Sequence, residues 1–420
     1  MLKTSKSEPL WLRVGELIDG ASSQPLKDAH LVYDAHEIRY AGVETPPAGL
    51  VREGQAKPDA ELPEHTVMPG LTEAHAHLFL EGGELNSVKR PAYLKQEPAA
   101  LLDNALKRLG RLARLGVIAV RDAGDKDGVG LALSKLYGSA NHPLMPYVES
   151  PGAAIHRRGR YGSFMGRPVE DSASPAECVA ARVRDGADRI KLIATGIINF
   201  KKGAVTDPPQ FTVAELAELV AAAKGLGRQT FAHASGQPGI EAVIEGGVDS
   251  VEHGFFAGDE QLSKMRDRGI AWVPTFAPVQ RQLEEAALMG WDAAVCEQLR
   301  RILDNHASSL VRAHAMGVCL VARSDAGSWG VPHGLGFLRE LELMENAGLP
   351  PLAVVNAATG AVAARLGYKE KFGQLKAGWK ARFLLTEHSP LQTVSNLRKP
   401  KRVIFDGVEL QPAEDDQAGL

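Results

Sequence analysis

Between Val67 and Asp325 one pattern recurs: a short apolar run, a polar or glycine-bearing loop, a helical stretch, and another apolar run. Few architectures accept such a chain. Parallel strands cannot be joined by tight hairpins, so each crossover carries a helix and both faces of the sheet become buried. The apolar runs begin at Val67, Met68 and Leu71. They continue at 117–120, 146–150, 188–194, 229–234, 248–253, 271–276 and 318–322. Helical spacing predicts segments at 103–115, 239–245 and 291–316. Two further helices open on Ser174-Pro175-Ala176-Glu177 and Thr212-Val213-Ala214-Glu215, each a Ser/Thr cap with Glu three residues on, and close near Gly186 and Gly225. Eight strands alternating with helices over nearly 300 residues predict a (β/α)8 TIM barrel, class α/β. A doubly wound sheet shares the alternation, but none of the strand–helix turns carries its GxGxxG phosphate loop.

The ends of the chain read differently. Residues 10–14, 31–34 and 38–42 at one end, and 372–385 and 402–410 at the other, are short β signals between Pro and Gly turns. They predict a small β-sandwich domain assembled from residues 1–66 plus 372–420, around a barrel of residues 67–371, with a polar, acidic tail after Gln411. A net charge of -3 without a long basic tract points away from nucleic acid and membrane surfaces. Lys3, Lys6 and Glu8 interrupt any signal-peptide core, and no run of about twenty apolar residues exists to span a bilayer. Cys178, Cys296 and Cys319 lie far apart, as expected of a cytoplasmic protein rather than a disulfide framework. The expected partner is a small-molecule substrate, and a homo-oligomer is compatible with this composition.

In a barrel, function sits at the C-terminal ends of the strands. Those ends hold His75, His77, Lys191, His233, His253 and Asp325. His75 and His77, two apart, leave one face of a strand and form half of a metal site. Each residue alone has an ordinary reading: a core histidine, an N-capping aspartate, a lysine reaching for solvent. Four histidines, an aspartate and a lysine inside an apolar run, all at strand ends of one barrel, point to a metal centre.

Nearly the whole chain resembles the amidohydrolase superfamily. The resemblance is carried by Met68-Pro69-Gly70-Leu71 leading to His75-Ala76-His77, Val120-Arg121-Asp122-Ala123-Gly124, and Gly186-Ala187-Asp188-Arg189-Ile190-Lys191. It continues through Ala232-His233-Ala234, Val251-Glu252-His253-Gly254, Ser324-Asp325-Ala326-Gly327, Ala357-Ala358-Thr359 and Gly373-Gln374-Leu375. It is strongest toward imidazolonepropionase-like proteins and Xaa-Pro or Xaa-Arg dipeptidases. The resemblance implies two divalent ions, zinc by default. His75, His77 and Asp325 would hold one and His233 and His253 the other, with Lys191 bridging them as an N6-carbamate. It implies cleavage of a C–N amide bond, in a dipeptide, N-acyl amino acid or related amide, by a metal-bridging hydroxide. Asp325 is then the catalytic proton carrier. Two departures stand out: Arg323 occupies a position that is usually small, and Ala381-Arg382-Phe383 replaces the more common Ala-Asp-Leu.

The same six ligands would serve a hydrolase of ureas, carbamates, cyclic amides, esters or lactones. A mononuclear deaminase of this superfamily typically has Glu three residues after the fifth-strand histidine, where this chain has Gly236. A non-catalytic relative usually loses ligands, and none is lost here. For substrate contacts the loops suggest Arg157, Arg158 and Tyr161, with His156 and Arg160 beside them, and His333 near Trp329. The arginines are expected to hold a substrate carboxylate, with Tyr161, Phe164 and Phe200 as an apolar wall.

Overall fold

A computed structural model describes residues 8–86 and 89–411; Lys3, Lys6 and the acidic tail after Gln411 lie outside them. Four strands come from the N-terminal part: β1 (Leu10–Leu17), β2 (Leu26–Tyr33), β3 (Ile38–Gly42) and β4 (Ala60–Pro69). After β4 the chain breaks at Gly70 and enters β5 (Leu71–Ala76), whose six residues are all buried. The seam expected between 66 and 67 therefore falls inside β4, a strand of the small sheet. Only after Gly70 does the chain join the parallel strands.

Those strands follow in order: β6 (Val117–Asp122), β7 (Tyr147–Glu149), β8 (Ala154–His156), β9 (Gly166–Pro168) and β10 (Ile190–Ile193). A two-stranded hairpin, β11 (Ile198–Asn199) and β12 (Ala204–Val205), precedes β13 (Thr230–Ala234), β14 (Ser250–His253) and β15 (Ala271–Val273). Parallel pairing runs β5-β6-β7 and β8-β10-β13-β14-β15. The two sets meet where the amide of Asp188, just before β10, donates to Ser150 O just after β7 (2.8 Å). The third strand expected at 146–150 is β7, and β8, not expected from the sequence, follows it after Pro151-Gly152. The expected eighth strand, 318–322, makes an isolated bridge, Trp272↔Leu320, on one side, and just beyond it Ala326 bridges to Ala76 on the other. With Asp325 N donating to His75 O (3.0 Å), the parallel strands run full circle. This is an α/β fold of parallel strands, in keeping with an eight-stranded barrel.

Helix signals legible in the sequence take their expected forms. Ser174 Oγ accepts from Glu177 N, and the helix Pro175–Asp185 closes on Gly186 at φ 105°. Thr212 and Glu215 make a full reciprocal box for Val213–Gly225. The expected helix at 103 begins earlier, at Pro98, where proline suits the first turn. The expected start at 291 moves to Ala293, because Asp292 Oδ1 caps Val295 N (2.9 Å).

The chain ends meet in one sheet. β16 (Arg382–Thr386), β17 (Arg402–Phe405) and β18 (Val408–Leu410) extend it to the order β18-β17-β16-β4-β1-β2-β3. In a flat sheet β16 and β2 would lie about 14 Å apart, three strand spacings. Instead the Tyr33 and Phe383 rings touch, 4.9 Å between centroids, and Ile38 N donates to Trp379 O (2.7 Å). The sheet curls over an apolar interior that includes Leu12, Leu31, Val67, Phe383 and Ile404.

Candidate active site

The cluster is built from strand ends. His75 is the fifth residue of β5 and His77 follows the strand. Lys191 lies in β10, His233 is the fourth residue of β13 and His253 the last of β14. Asp325 directly precedes Ala326, which bridges to Ala76 at the end of β5. Because parallel strands all point the same way, these positions converge at one end. His253 and Asp325 have left-handed backbones, φ 66° and 59°. Asp and His tolerate that region better than most side chains, but it is still uncommon outside glycine, and such backbones concentrate where a side chain must be aimed.

The distances are short. His75 Nε2 lies 3.4 Å from Asp325 Oδ1 and 3.3 Å from Lys191 Nζ. His77 Nε2 is 3.6 Å from the same Asp325 oxygen. The His233 and His253 rings are 4.4 Å apart. One ligand atom each from His75, His253 and Asp325 all lie within 4.8 Å of one another. Burial removes water from every member and disfavours its charged form. It pushes His77 and His233 down to about 3, and holds His75 and His253 well below the usual range. Burial also lowers Lys191 to about 7, with Glu252 and Asp325 opposing, and it raises Asp325. At neutral pH the four rings are therefore uncharged bases.

Beneath them lies a charged layer that sequence reading did not assign. Glu252 accepts from His75 Nδ1 (2.7 Å) and from Arg121 Nη2 (2.8 Å), and Arg323 Nη1 lies 3.4 Å away. With Nδ1–H donated to Glu252, His75 Nε2 is left as a free base facing Asp325 and Lys191. Arg121 also donates to Ala74 O and Ser250 Oγ, tying three strands together. Phe231 lies between Arg121 and Lys191, its ring centre 4.4 and 4.7 Å from the two cationic groups. A signal existed: in strands buried on both faces, Glu73, Arg121 and Glu252 cannot reach solvent and need internal partners. Arg323 is fully buried, and its Nη2 donates to His253 Nδ1 at 2.6 Å. It does not crowd the cavity; it props a histidine from below.

A cavity of about 270 Å³ opens over the cluster, walled by Tyr161, Phe164, Phe200, Phe255 and Trp329, with Arg90 among its polar lining. Tyr161 stands where the sequence put it, 5.3 Å from the His233 ring. The other expected substrate contacts need correction. Arg157 turns to Glu170, Glu215 and the Gln210 backbone, and Arg158 to Asp171, so both guanidiniums are neutralised away from the cavity. Arg160 donates to Pro208 O. His333 is buried beneath the wall, donating from Nε2 to His77 O (3.1 Å). It therefore fixes the loop that carries His77 rather than meeting a substrate.

Buried neutral imidazoles, a carboxylate and a lysine amine form a donor set suited to divalent ions such as zinc. His75 and His77 fit directly. His253 has already committed its Nδ1 lone pair to Arg323.

The Amidohydrolase family profile matches residues 66–410. Ochratoxinase from Aspergillus niger is 27% identical over 464 residues, covering 98% of this chain and 90% of that protein. Its crystal structure superposes with a TM-score of 0.78 at 24% identity, covering 98% of this chain and 97% of that one. A Xaa-Pro dipeptidase crystallised with methionine in its active site superposes with a TM-score of 0.80 at 26% identity, covering 96% and 100%.

Proposed function

Since the chain belongs to the Amidohydrolase family and is a hydrolase acting on amide bonds, we propose that it cleaves the C–N bond of a dipeptide, N-acyl amino acid or related amide at this cluster. The observation that carries the reading is the convergence of His75, His253 and Asp325 at the floor of the one-ended cavity, with Lys191 and His77 alongside. In this reading His75, His77 and Asp325 would hold one divalent ion and His233 and His253 a second, with Lys191, as a carbamate, a further ligand. Bound divalent ions would supply Lewis acidity and an acidified water.

The chain's own groups do the rest. Glu252 fixes the His75 tautomer, so that Nε2 is the donor. Ser328 donates to Asp325 Oδ2 (2.8 Å), leaving Oδ1 turned to the cluster. Oδ1 is then placed to take a proton from the attacking water and pass it to the leaving nitrogen, without which an amide cannot break. Aromatic walls exclude bulk water and strengthen each of these interactions. A carbamate requires an unprotonated lysine, and burial beside Phe231 favours the free amine.

The architecture belongs to the same proposal: a (β/α)8 barrel bearing a β-sandwich made from both chain ends. The curled seven-stranded sheet supports this division. A cytoplasmic location and a small-molecule substrate complete it. Three unpaired cysteines support a reducing compartment, and among the described residues no helix is long and apolar enough to cross a membrane.

Elemental analysis of protein expressed with zinc or manganese tests the centre: up to two ions per chain are expected. Lys191→Ala should fold, lose the second ion and lose most activity, with short carboxylic acids restoring part of it. Wild-type turnover and metal content in that variant would defeat the carbamate. An assay panel of dipeptides, N-acyl amino acids, ureas, carbamates and lactones separates amide cleavage from the alternatives. Preference for neutral ureas or lactones would overturn the peptide-like assignment.

A further inference from the structure

Arg90 is the one guanidinium on the cavity wall among the described residues, and sequence reading gave it no role. It sits in the short helix Lys89–Tyr93, in the segment that follows β5. Two backbone carbonyls fix its head: Nη1 donates to Glu81 O, and Nη2 to Gly327 O at 2.5 Å. Glu81 is four residues beyond His77 and Gly327 two beyond Asp325, so the guanidinium spans the rim between the two loops that carry those groups. Carbonyls orient a guanidinium without cancelling its charge. The nearby Glu81 carboxylate pairs with Arg108 instead (2.9 Å).

The other ionisable groups on the wall, the histidines, Lys191 and Asp325, belong to the ligand cluster. Among the described residues Arg90 is therefore a fixed and partly desolvated positive charge outside any ion pair, with Glu81 and Asp325 acting on it only at longer range. It faces a cavity whose other walls are mostly apolar: Phe164, Phe200, Phe255, Ile197 and Val279. A half-buried charge of this kind is stabilised by an anion, and a guanidinium's remaining N–H groups match a carboxylate in pairs. The volume, about 270 Å³, is at the small end for a ligand site, which favours a unit of amino-acid size over a longer peptide.

We propose that Arg90 is the specificity-determining residue that receives the free carboxylate of the substrate, so that the enzyme selects small N-acyl amino acids or dipeptides with an apolar or aromatic side chain. This inference rests on the cavity being the substrate site of the proposed function. The alternative role for Arg90 is a staple between two loops.

Calorimetry separates the two with probes that cannot be hydrolysed. 3-Phenylpropanoate and the neutral ketone 4-phenylbutan-2-one share a shape and differ in charge. The metal-loaded wild type should bind the carboxylate at least tenfold more tightly. Arg90→Gln should abolish that preference while binding of the ketone changes less than threefold, and Arg90→Lys should fall between, since it keeps the charge and loses the fork. In turnover, Arg90→Gln should lower kcat/KM for N-acetyl-L-phenylalanine about a hundredfold, chiefly through KM. A wild type without the preference overturns the inference, and that measurement requires no variant to fold. So does a preference that survives in Arg90→Gln, which would place the anchor on the metals, or an equal loss for both probes, which would mark a staple. An Arg90-dependent preference in a protein that hydrolyses no amide would instead defeat the proposed reaction and leave the anion site standing.

Discussion

At the scale of single residues, the site is decided by what lies under the ligands. Glu252 stands 177 residues from His75 and gives its ring one tautomer. Two buried arginines compensate that carboxylate, Arg121 and Arg323. Removing one partner of such a set leaves an uncompensated buried charge, which typically costs about 3–5 kcal/mol, a large fraction of the roughly 5–15 kcal/mol that holds a fold together. Arg323 also donates to His253 Nδ1. A neutral imidazole that accepts at Nδ1 carries its proton on Nε2, so this ring must shift a proton or move before that nitrogen can bind an ion. The ion held by His233 and His253 is therefore expected to be the weaker one. Arg323→Met should tighten it about tenfold, in the range by which groups behind the ligands tune metal affinity. The same change should lower unfolding stability, because Glu252 loses a cation. Calorimetric zinc titration of metal-free protein, with a denaturant curve beside it, checks both; an unchanged or weaker second site would show that the contact does not hold His253 back.

Secondary-structure elements explain the fate of the loop arginines. The helix Val213–Gly225 begins with a reciprocal box in which Glu215 serves the Thr212 backbone. The other oxygen of Glu215 takes Arg157, whose guanidinium also stacks over Phe211 at 5.1 Å. Arg157 thus supports a helix start rather than a substrate. Arg157→Ala should change KM and kcat by less than twofold. Its stability cost should be about 1 kcal/mol or less, as for partly exposed ion pairs. Thr212→Ala should cost about 1 kcal/mol through the lost cap. Thermal melts and steady-state kinetics on the same two proteins provide the check, and a large KM effect in Arg157→Ala would return that residue to the substrate site.

For the whole molecule, the notable connection is β4 to β5, where Gly70 alone separates the small sheet from the parallel strands. A side chain there would stand 2.2 Å from Ile118 Cγ2, and Gly70 N donates to Arg382 O (3.0 Å). The strand bearing His75 is therefore clamped to a sheet built from both chain ends, and the site and that sheet are expected to unfold together. Acid should expose the cost of the buried histidines. Burial holds His77, His233, His306 and His333 at about 3 in the folded chain, against 6.5 when exposed. Between those values the unfolded chain binds more protons, so folding stability falls as pH drops through that window. Buried Glu73 and Glu340, raised to about 7 and about 8, act in the opposite sense only above 4.5. Below pH 4.5 the carboxylates that hydrogen bonds and cations hold low, such as Glu16, Asp34 and Glu215, act in the same sense as the histidines, and the melting temperature of metal-free protein should fall steeply toward pH 3. Bound zinc should raise the melting temperature at neutral pH, since it binds only the folded state, and this gain should vanish on acidification. Differential scanning calorimetry with and without chelator measures both; a flat profile from pH 4.5 to 3 would mean that the rings take up protons without unfolding the chain.

The ligand candidates were legible because their placement follows from chain direction. In parallel strands the residue before each polar loop arrives at the same end, whatever the neighbours are, so His75, His77, Lys191, His233, His253 and Asp325 could be read from local pattern alone. The Ser174 and Thr212 caps were legible for a similar reason, since a cap is made within four residues. What the sequence could not supply was partnership across the ring. Glu252 under His75, Arg323 behind His253, and the turning of Arg157 and Arg158 to Glu215 and Asp171 all depend on which elements become neighbours after closure. Arg90 shows the same limit from the other side. It lies in a short helix with no periodic signal, and it reaches the cavity because carbonyls from two distant loops, Glu81 and Gly327, orient its head. Period and capping are encoded in neighbouring residues; the compensation of buried charge is encoded only in the assembled fold, where desolvation forces each charged group to find the partner that space allows.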